Sequence, residues 1–160
     1  MADTQNYVEA VKLFARGPAI LEDALNGVTP DESKFIPAPG KWTIRQIVRH
    51  LADTEIVTGM RLRQIIAEDR PNLAVFDQDL WAAAFGYNDC DVFASAALVR
   101  TLREDMTVVL QELPATAFER VGLHPERGEF TLLRWVEIFG KHVEKHAEQI
   151  ARARASWSSR

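Results

Sequence analysis

Trp42-Thr43-Ile44-Arg45-Gln46-Ile47-Val48-Arg49-His50-Leu51-Ala52-Asp53-Thr54-Glu55 carries one of the clearest helix starts in the chain. Thr43 stands as N-cap, Gln46 three residues on is its capping-box partner, and Trp42 and Ile47 can close a hydrophobic staple across the cap. Beyond it Ile44, Ile47, Val48, Leu51, Thr58, Leu62, Ile65 and Ile66 form one stripe at helical spacing until Pro71 stops the run. An apolar stripe on one helix must be buried against others, and the chain supplies three more segments of the same period.

Thr4 to Leu25 puts Val8, Val11, Phe14, Leu21 and Leu25 on one side. Its weak point is Gly17-Pro18, where the missing proline N–H demands a kink, or two short helices with Pro18 at the first position of the second. Asp89 or Asp91 caps a third helix, with Phe93, Ala97, Leu102, Met106, Val109, Leu110 and Leu113 as its apolar positions and Pro114 at its end. Thr131 caps the last helix, which runs to about Ala155. Residues 70–90 form a long connection whose Trp81, Phe85 and Tyr87 are too aromatic for a solvated linker, so it packs over the bundle end or against a partner. Val121 to Gly128 reads as a turn-rich loop or a small hairpin. The expectation is one all-α domain over residues 1–160, an up-down four-helix bundle with a long aromatic connection between its second and third helices.

Composition agrees. With 160 residues, 47% of them hydrophobic, the chain can bury one full core. Nineteen basic residues (19) against 23 acidic ones leave a net charge of -4, a field that repels phosphate backbones and disfavours nucleic acid as a partner. Cys90 is the single cysteine, so no intrachain disulfide forms, which fits a reducing compartment. Met1 to Ala10 carries Asp3 and Glu9 and lacks a basic region followed by an apolar block, and no apolar run approaches the roughly 20 residues a bilayer requires. A cytoplasmic protein with no membrane attachment is expected.

The last helix holds the unusual feature. Leu132, Val136, Phe139, Val143 and Ile150 define its core stripe; His146 falls inside that stripe and His142 on its shoulder. At i and i+4 their Cβ atoms lie about 5–6 Å apart, so both rings can reach one ion. His50, on the flank of the second helix's stripe beside Ile47 and Thr54, can look across the bundle toward them. The residues alone leave two readings open, satisfied core histidines or a three-histidine metal site.

Other candidates are less specific. His124 precedes Pro125 in a loop and reads as a solvated turn residue outside the site. Cys90 reads as a half-buried thiol before a helix cap rather than a ligand or nucleophile, since no histidine or basic pair adjoins it. Asp53, Glu55 and Gln149 could orient ligand rings or bind a metal-bound water, against an exposed helix face or an interhelical contact, which is the preferred reading for Glu55. Arg45, Arg49, Arg61 and Arg63 could attract a carboxylate, yet most read as a solvated face balanced by Asp53, Glu55, Glu68 and Asp69. Trp81, Phe85 and Tyr87 could line a substrate entrance or a dimer interface as well as simply pack.

Two stretches carry a resemblance. Pro39 to Glu55, with a tryptophan leading into a histidine-bearing helix, and His142-Val143-Glu144-Lys145-His146-Ala147-Glu148-Gln149-Ile150, a His-x3-His-x2-Gln-Ile run, resemble the two signatures of the DinB/YfiT-like superfamily. His124 to Leu132 resembles the loop preceding that family's last helix, and the three matches come in the family's order. The resemblance implies a four-helix bundle, often a homodimer, holding one divalent metal through His50, His142 and His146, with zinc or nickel first among the candidates and iron or manganese next. It also implies metal-dependent chemistry in which a low-molecular-weight thiol such as bacillithiol, mycothiol or glutathione attacks a small electrophile. The alternatives are a metal-dependent hydrolase of the same fold and a non-catalytic binding or stress-response module; no catalytic residue beyond the ligands is assigned.

Overall fold

The computed structural model describes residues 4–160; Met1 and Asp3, used above to judge the N-terminal stretch, lie outside them. The elements are α1 (Thr4–Ala15), α2 (Gly17–Leu25), α3 (Pro30–Lys34), α4 (Ile44–Ala67), α5 (Gln78–Ala84), α6 (Val92–Glu112), a 3-10 turn (Ala115–Glu119), β1 (Val121–His124), β2 (Gly128–Thr131) and α7 (Leu132–Ser158). Four long helical units, α1 with α2, α4, α6 and α7, make a four-helix bundle. No helix among the described residues is long and apolar enough to cross a membrane.

The starts are set by side chains. Thr43 and Gln46 make the reciprocal box at α4, with Thr43 N–H donating to Gln46 Oε1 at 2.9 Å and Gln46 N–H to Thr43 Oγ1 at 3.2 Å. Asp91, not Asp89, caps α6, and Thr131 caps α7. The first segment divides at Arg16, with Pro18 at the second helical position of α2 rather than the first. Two short helices went unread in the sequence, α3 behind a Thr29/Glu32 capping box and α5 behind Asp77.

Chain direction follows from the core, which has two apolar clusters. Phe14, Leu62, Met106 and Phe139 belong to one, and Leu21, Leu51, Val99 and Val143 to the other. Moving along the chain, α1–α2 and α7 pass from the first cluster to the second, whereas α4 and α6 both pass from the second to the first. Thus α4 and α6 run parallel, and the segment between them must return along the whole of α4, a path of about 36 Å at 1.5 Å per residue. It does so: Leu73 is packed in the first cluster, while Asn88 near its end accepts from Arg45 Nη1 at 2.9 Å, beside the start of α4. The connection is therefore long and aromatic because it is part of the bundle wall; Tyr87 is buried, Trp81 half-buried and Phe85 exposed.

One expectation fails on α6. Phe93 and Ala97 face solvent, and the buried stripe is Val92, Ser95, Val99, Arg103, Met106 and Leu110. A serine and an arginine interrupt the apolar period, so Phe93 and Ala97 lie one face away from the buried stripe. Arg103 sits at the seam between the clusters, bound through Nε to Glu55 at 2.9 Å and through a second, short contact from Nη2. Glu55 is thus buried and paired in an interhelical contact with α6, the second of the two placements the sequence left for it.

Candidate metal centre

Three histidines meet where α4 and α7 face one another. On α7, His142 and His146 stand one turn apart with their Nε2 atoms 3.1 Å from each other. His50 closes the triangle from α4, its ring centroid 5.5 Å from that of His142 and 5.1 Å from that of His146. One nitrogen from each of the three lies within 4.8 Å of the others, which brings together the three residues singled out in the sequence. Two nitrogens at about 2.0–2.1 Å from a shared tetrahedral ion would stand about 3.3–3.4 Å apart. The His142–His146 separation is close to that value.

The surroundings keep the rings neutral and aimed. Gln149 Oε1 lies 2.9 Å from His146 Nδ1 and, being an acceptor, puts the ring proton there, so Nε2 is left bare. Burial, and then the nearby His146, lowers His50 to about 4. Burial, with His146, His50, Arg103 and Lys145 adding to it, lowers His142 to about 3. Burial also lowers His146, the Gln149 bond opposing. Three neutral imidazoles are the protonation state a cation requires. The Nδ1 atoms of His50 and His142 are buried without a hydrogen-bond partner, and Thr54 Oγ1 lies 3.5 Å from His50 Nε2. What fits a divalent ion is the donor set itself, His142 Nε2 and His146 Nε2 at ligand spacing with His50 facing both.

The outer layer is built from α4 and the returning connection. The Trp42 ring centroid lies 5.2 Å from that of His50 in an edge-to-face arrangement, and the Phe76 centroid lies 6.5 Å from it. Asp53, one helical turn on, is tied to Tyr87 by a 2.6 Å bond from the phenol and to Arg49 at 2.8 Å. Burial and that carboxylate push the Tyr87 hydroxyl far above its ordinary range, so it remains a donor. Cys90 gives its thiol to Tyr87 O at 3.1 Å, and burial raises it, which leaves it outside the cluster as the sequence suggested.

Two clefts reach the histidines. One, lined by His50, His142 and His146, is rimmed with Lys41, Arg127, Lys141 and Lys145. The other, of about 290 Å3, reaches His50 and His142 from the hairpin side and includes Arg61, His124 and Trp135. His124 is buried, not solvated, because it ends β1 on the inward side of an alternating strand. Arg61 is buried too, against the reading of a solvated arginine face. Both were findable: His124 by the period of two in Val121–His124, and Arg61 by the 50, 54, 58, 61 spacing that sets it on the His50 face of α4.

Comparison with known proteins shows the family and the fold. A family profile described as the DinB superfamily matches residues 13–150. A provisionally named metal-dependent hydrolase of Oceanobacillus iheyensis is 28% identical over 133 residues, covering 83% of this chain and 77% of that protein. YfiT of Bacillus subtilis, with the same provisional description, is 27% identical over 151 residues, covering 92% of this chain and 85% of its own. The solved structure of Bacillus subtilis YfiT, described as having an unusual four-helix bundle topology, superposes with a TM-score of 0.90 at 23% identity over 99% of this chain and 91% of that one, which shows a shared fold.

Proposed function

The chain belongs to the DinB superfamily, and from that membership and the histidine geometry we propose that it is a metal-dependent enzyme transferring a low-molecular-weight thiol to a small electrophile. His50, His142 and His146 hold one divalent ion, zinc or nickel before iron or manganese. The observation that carries the reading is the convergence of three neutral imidazoles from two helices at a point reached by two clefts. Three protein ligands leave room for an exogenous one, the pattern of catalytic rather than closed structural sites. When bound, a divalent ion supplies the Lewis acidity that makes a thiol or water beside it more acidic.

The chain's own residues favour a thiol over water. The buried acids nearest the centre are committed, Asp53 to Tyr87 and Arg49, Glu55 to Arg103. The acids lining the clefts, Glu126 and Asp79, are exposed at the rim rather than buried beside the histidines, where a general base would have to stand. A thiol brings its own nucleophile and asks for no such base. Gln149 aims His146, and Trp42 with Phe76 shields His50 from water. Hydrolysis stands second, favoured by the provisional names of the relatives.

Elemental mass spectrometry on wild type and on the His142→Ala, His146→Ala double variant tests the centre. About one divalent ion per chain is expected, lost in the variant; no ion after reconstitution with zinc, nickel, manganese or iron(II) refutes it and leaves a binding module. With metal loaded, consumption of monochlorobimane should require both metal and one thiol of a panel. Equal rates with and without every thiol refute transfer, and metal-dependent, thiol-independent turnover of an ester panel establishes hydrolysis instead.

A further inference from the structure

The hairpin-side cleft holds more hydrogen-bond donors than the metal chemistry uses. Arg61 is 6% exposed, and its Nε and Nη2 both donate to Ala74 O, which leaves Nη1 without an acceptor among the described residues. Arg103 and Arg49 have Glu55 and Asp53, but no carboxylate among the described residues pairs with Arg61 or with Arg127 on the opposite rim. His124 Nδ1 accepts from the Glu126 N–H at 3.3 Å, so its neutral ring carries the proton on Nε2. Trp135, whose ring lies 5.3 Å from the Arg61 guanidinium carbon, has a buried indole N–H with no acceptor. Glu126 lines the cleft but is exposed and forms no ion pair with either arginine.

A buried guanidinium without a counterion is costly unless an anion arrives, and its planar fork matches a carboxylate. We propose that this cleft is a carboxylate subsite, in which Arg61 and Arg127, aided by the N–H groups of His124 and Trp135, hold the carboxylate of a small substrate whose remainder lies against His50 and His142. Phe76 and Ile138 line the same cleft and suit a short apolar or aromatic body. As a statement about substrate, this rests on the metal-dependent reading; as a binding site it stands on the cleft alone. The carboxylate belongs either to the thiol or to the electrophile.

Benzoate titrations by calorimetry provide the test, on metal-free and zinc-loaded wild type and on Arg61→Met and Arg127→Ala. Benzoate should bind both wild-type forms within about threefold of each other, and at least about tenfold more weakly in each variant, with benzamide at least about tenfold weaker on wild type. Arg127 is exposed, so Arg127→Ala keeps the test decisive if Arg61→Met fails to fold. Binding that requires zinc and survives both substitutions would make the carboxylate a zinc ligand and overturn the subsite. Inorganic phosphate binding more tightly than benzoate would also overturn it. Displacement of benzoate by cysteine but not cysteamine supports the subsite and assigns the carboxylate to the thiol; failure of both to displace, with benzoate still Arg61-dependent, supports it and assigns the carboxylate to the electrophile. Arg61-dependent benzoate binding in a protein that retains no metal would refute the metal-dependent reading and leave the subsite intact, and zinc retention without Arg61-dependent benzoate binding would do the reverse.

Discussion

Arg103→Met should be among the most damaging single substitutions in the bundle, and the structure says by how much. Pro18 has no N–H, so the Phe14 carbonyl four residues before it loses its helical donor. Arg103 Nη1 supplies the substitute at 3.1 Å and also donates to Phe139 O at 3.2 Å, while Nε and Nη2 hold Glu55. Its guanidinium lies 3.9 Å from the Phe14 ring centroid, and the approach is close enough that a Cβ on Gly17 would stand 3.1 Å from Nη1. One buried cation thus ties α1–α2, α4 and α7 to α6. Removing it strands the Glu55 carboxylate at about 3–5 kcal/mol. The Phe14 carbonyl adds about 1–3 kcal/mol, partly relieved as Glu55 takes up a proton. Urea unfolding at pH 8 should therefore show a loss of about 4–6 kcal/mol, a large share of an ordinary domain's stability.

The same substitution has a pH signature. Burial pushes Glu55 above its ordinary range and Arg103 opposes that rise; without the arginine the rise is unopposed. A carboxyl raised in the folded state binds more protons folded than unfolded, so stability is highest at acid pH and falls as pH rises through the window above the ordinary glutamate value, by up to about 1.4 kcal/mol per pH unit. The deficit of Arg103→Met should therefore be smaller at pH 5.5 than at pH 8, and adding Glu55→Leu should recover most of it and remove the pH dependence. A deficit below about 1 kcal/mol, or one equal at both pH values, would refute the reasoning.

Gln149→Leu should weaken metal binding by about 10–100-fold without loss of fold, measured by chelator competition, since only the acceptor that fixes the His146 ring is removed. In metal-free protein, His50 and His142 titrate near 4 and 3 instead of 6.5, so unfolding takes up protons below pH 6.5; stability should be full above that pH and decline as pH falls toward 4, and a flat urea midpoint across that range would contradict it. Gly122→Ala should cost about 1–3 kcal/mol in the same assay, because its Cβ would lie 2.8 Å from Ile65 Cγ1 and from Leu73 Cδ1.

What the sequence made legible is what local chemistry decides. The Thr43/Gln46 box and the Thr131 cap place the starts of α4 and α7, and once those starts are fixed the helical period alone puts His50, His142 and His146 on inward faces. What stayed hidden depends on long-range pairing. The buried stripe of α6 is not legible locally, because Arg103 is held in the interior by Glu55, Phe14 and Phe139, residues 48, 89 and 36 positions away. Glu55, which the sequence leaves between an exposed face and an interhelical contact, is placed in the contact by that same pairing.

The parallel run of α4 and α6 also joins fold to site. Had α6 followed α4 through a short turn, the two would be antiparallel and no returning segment would lie beside His50, which would then be flanked by α7 and Trp42 without Phe76. Because the chain must travel back along that helix, residues 68–91 bring Phe76 beside His50, Tyr87 onto Asp53, and the Ala74 carbonyl onto Arg61. The connection supplies one wall of the hairpin-side cleft through Val75, Phe76 and Gln78, while the hairpin supplies the facing rim through His124, Glu126 and Arg127. On the proposed reading, histidines on capped helices fix the point where an ion is held, and the connection and the hairpin frame what can approach it. Selection among substrates in this bundle is therefore expected to follow substitutions at Phe76, Arg61 and Arg127, while the ability to hold an ion follows α4 and α7 alone.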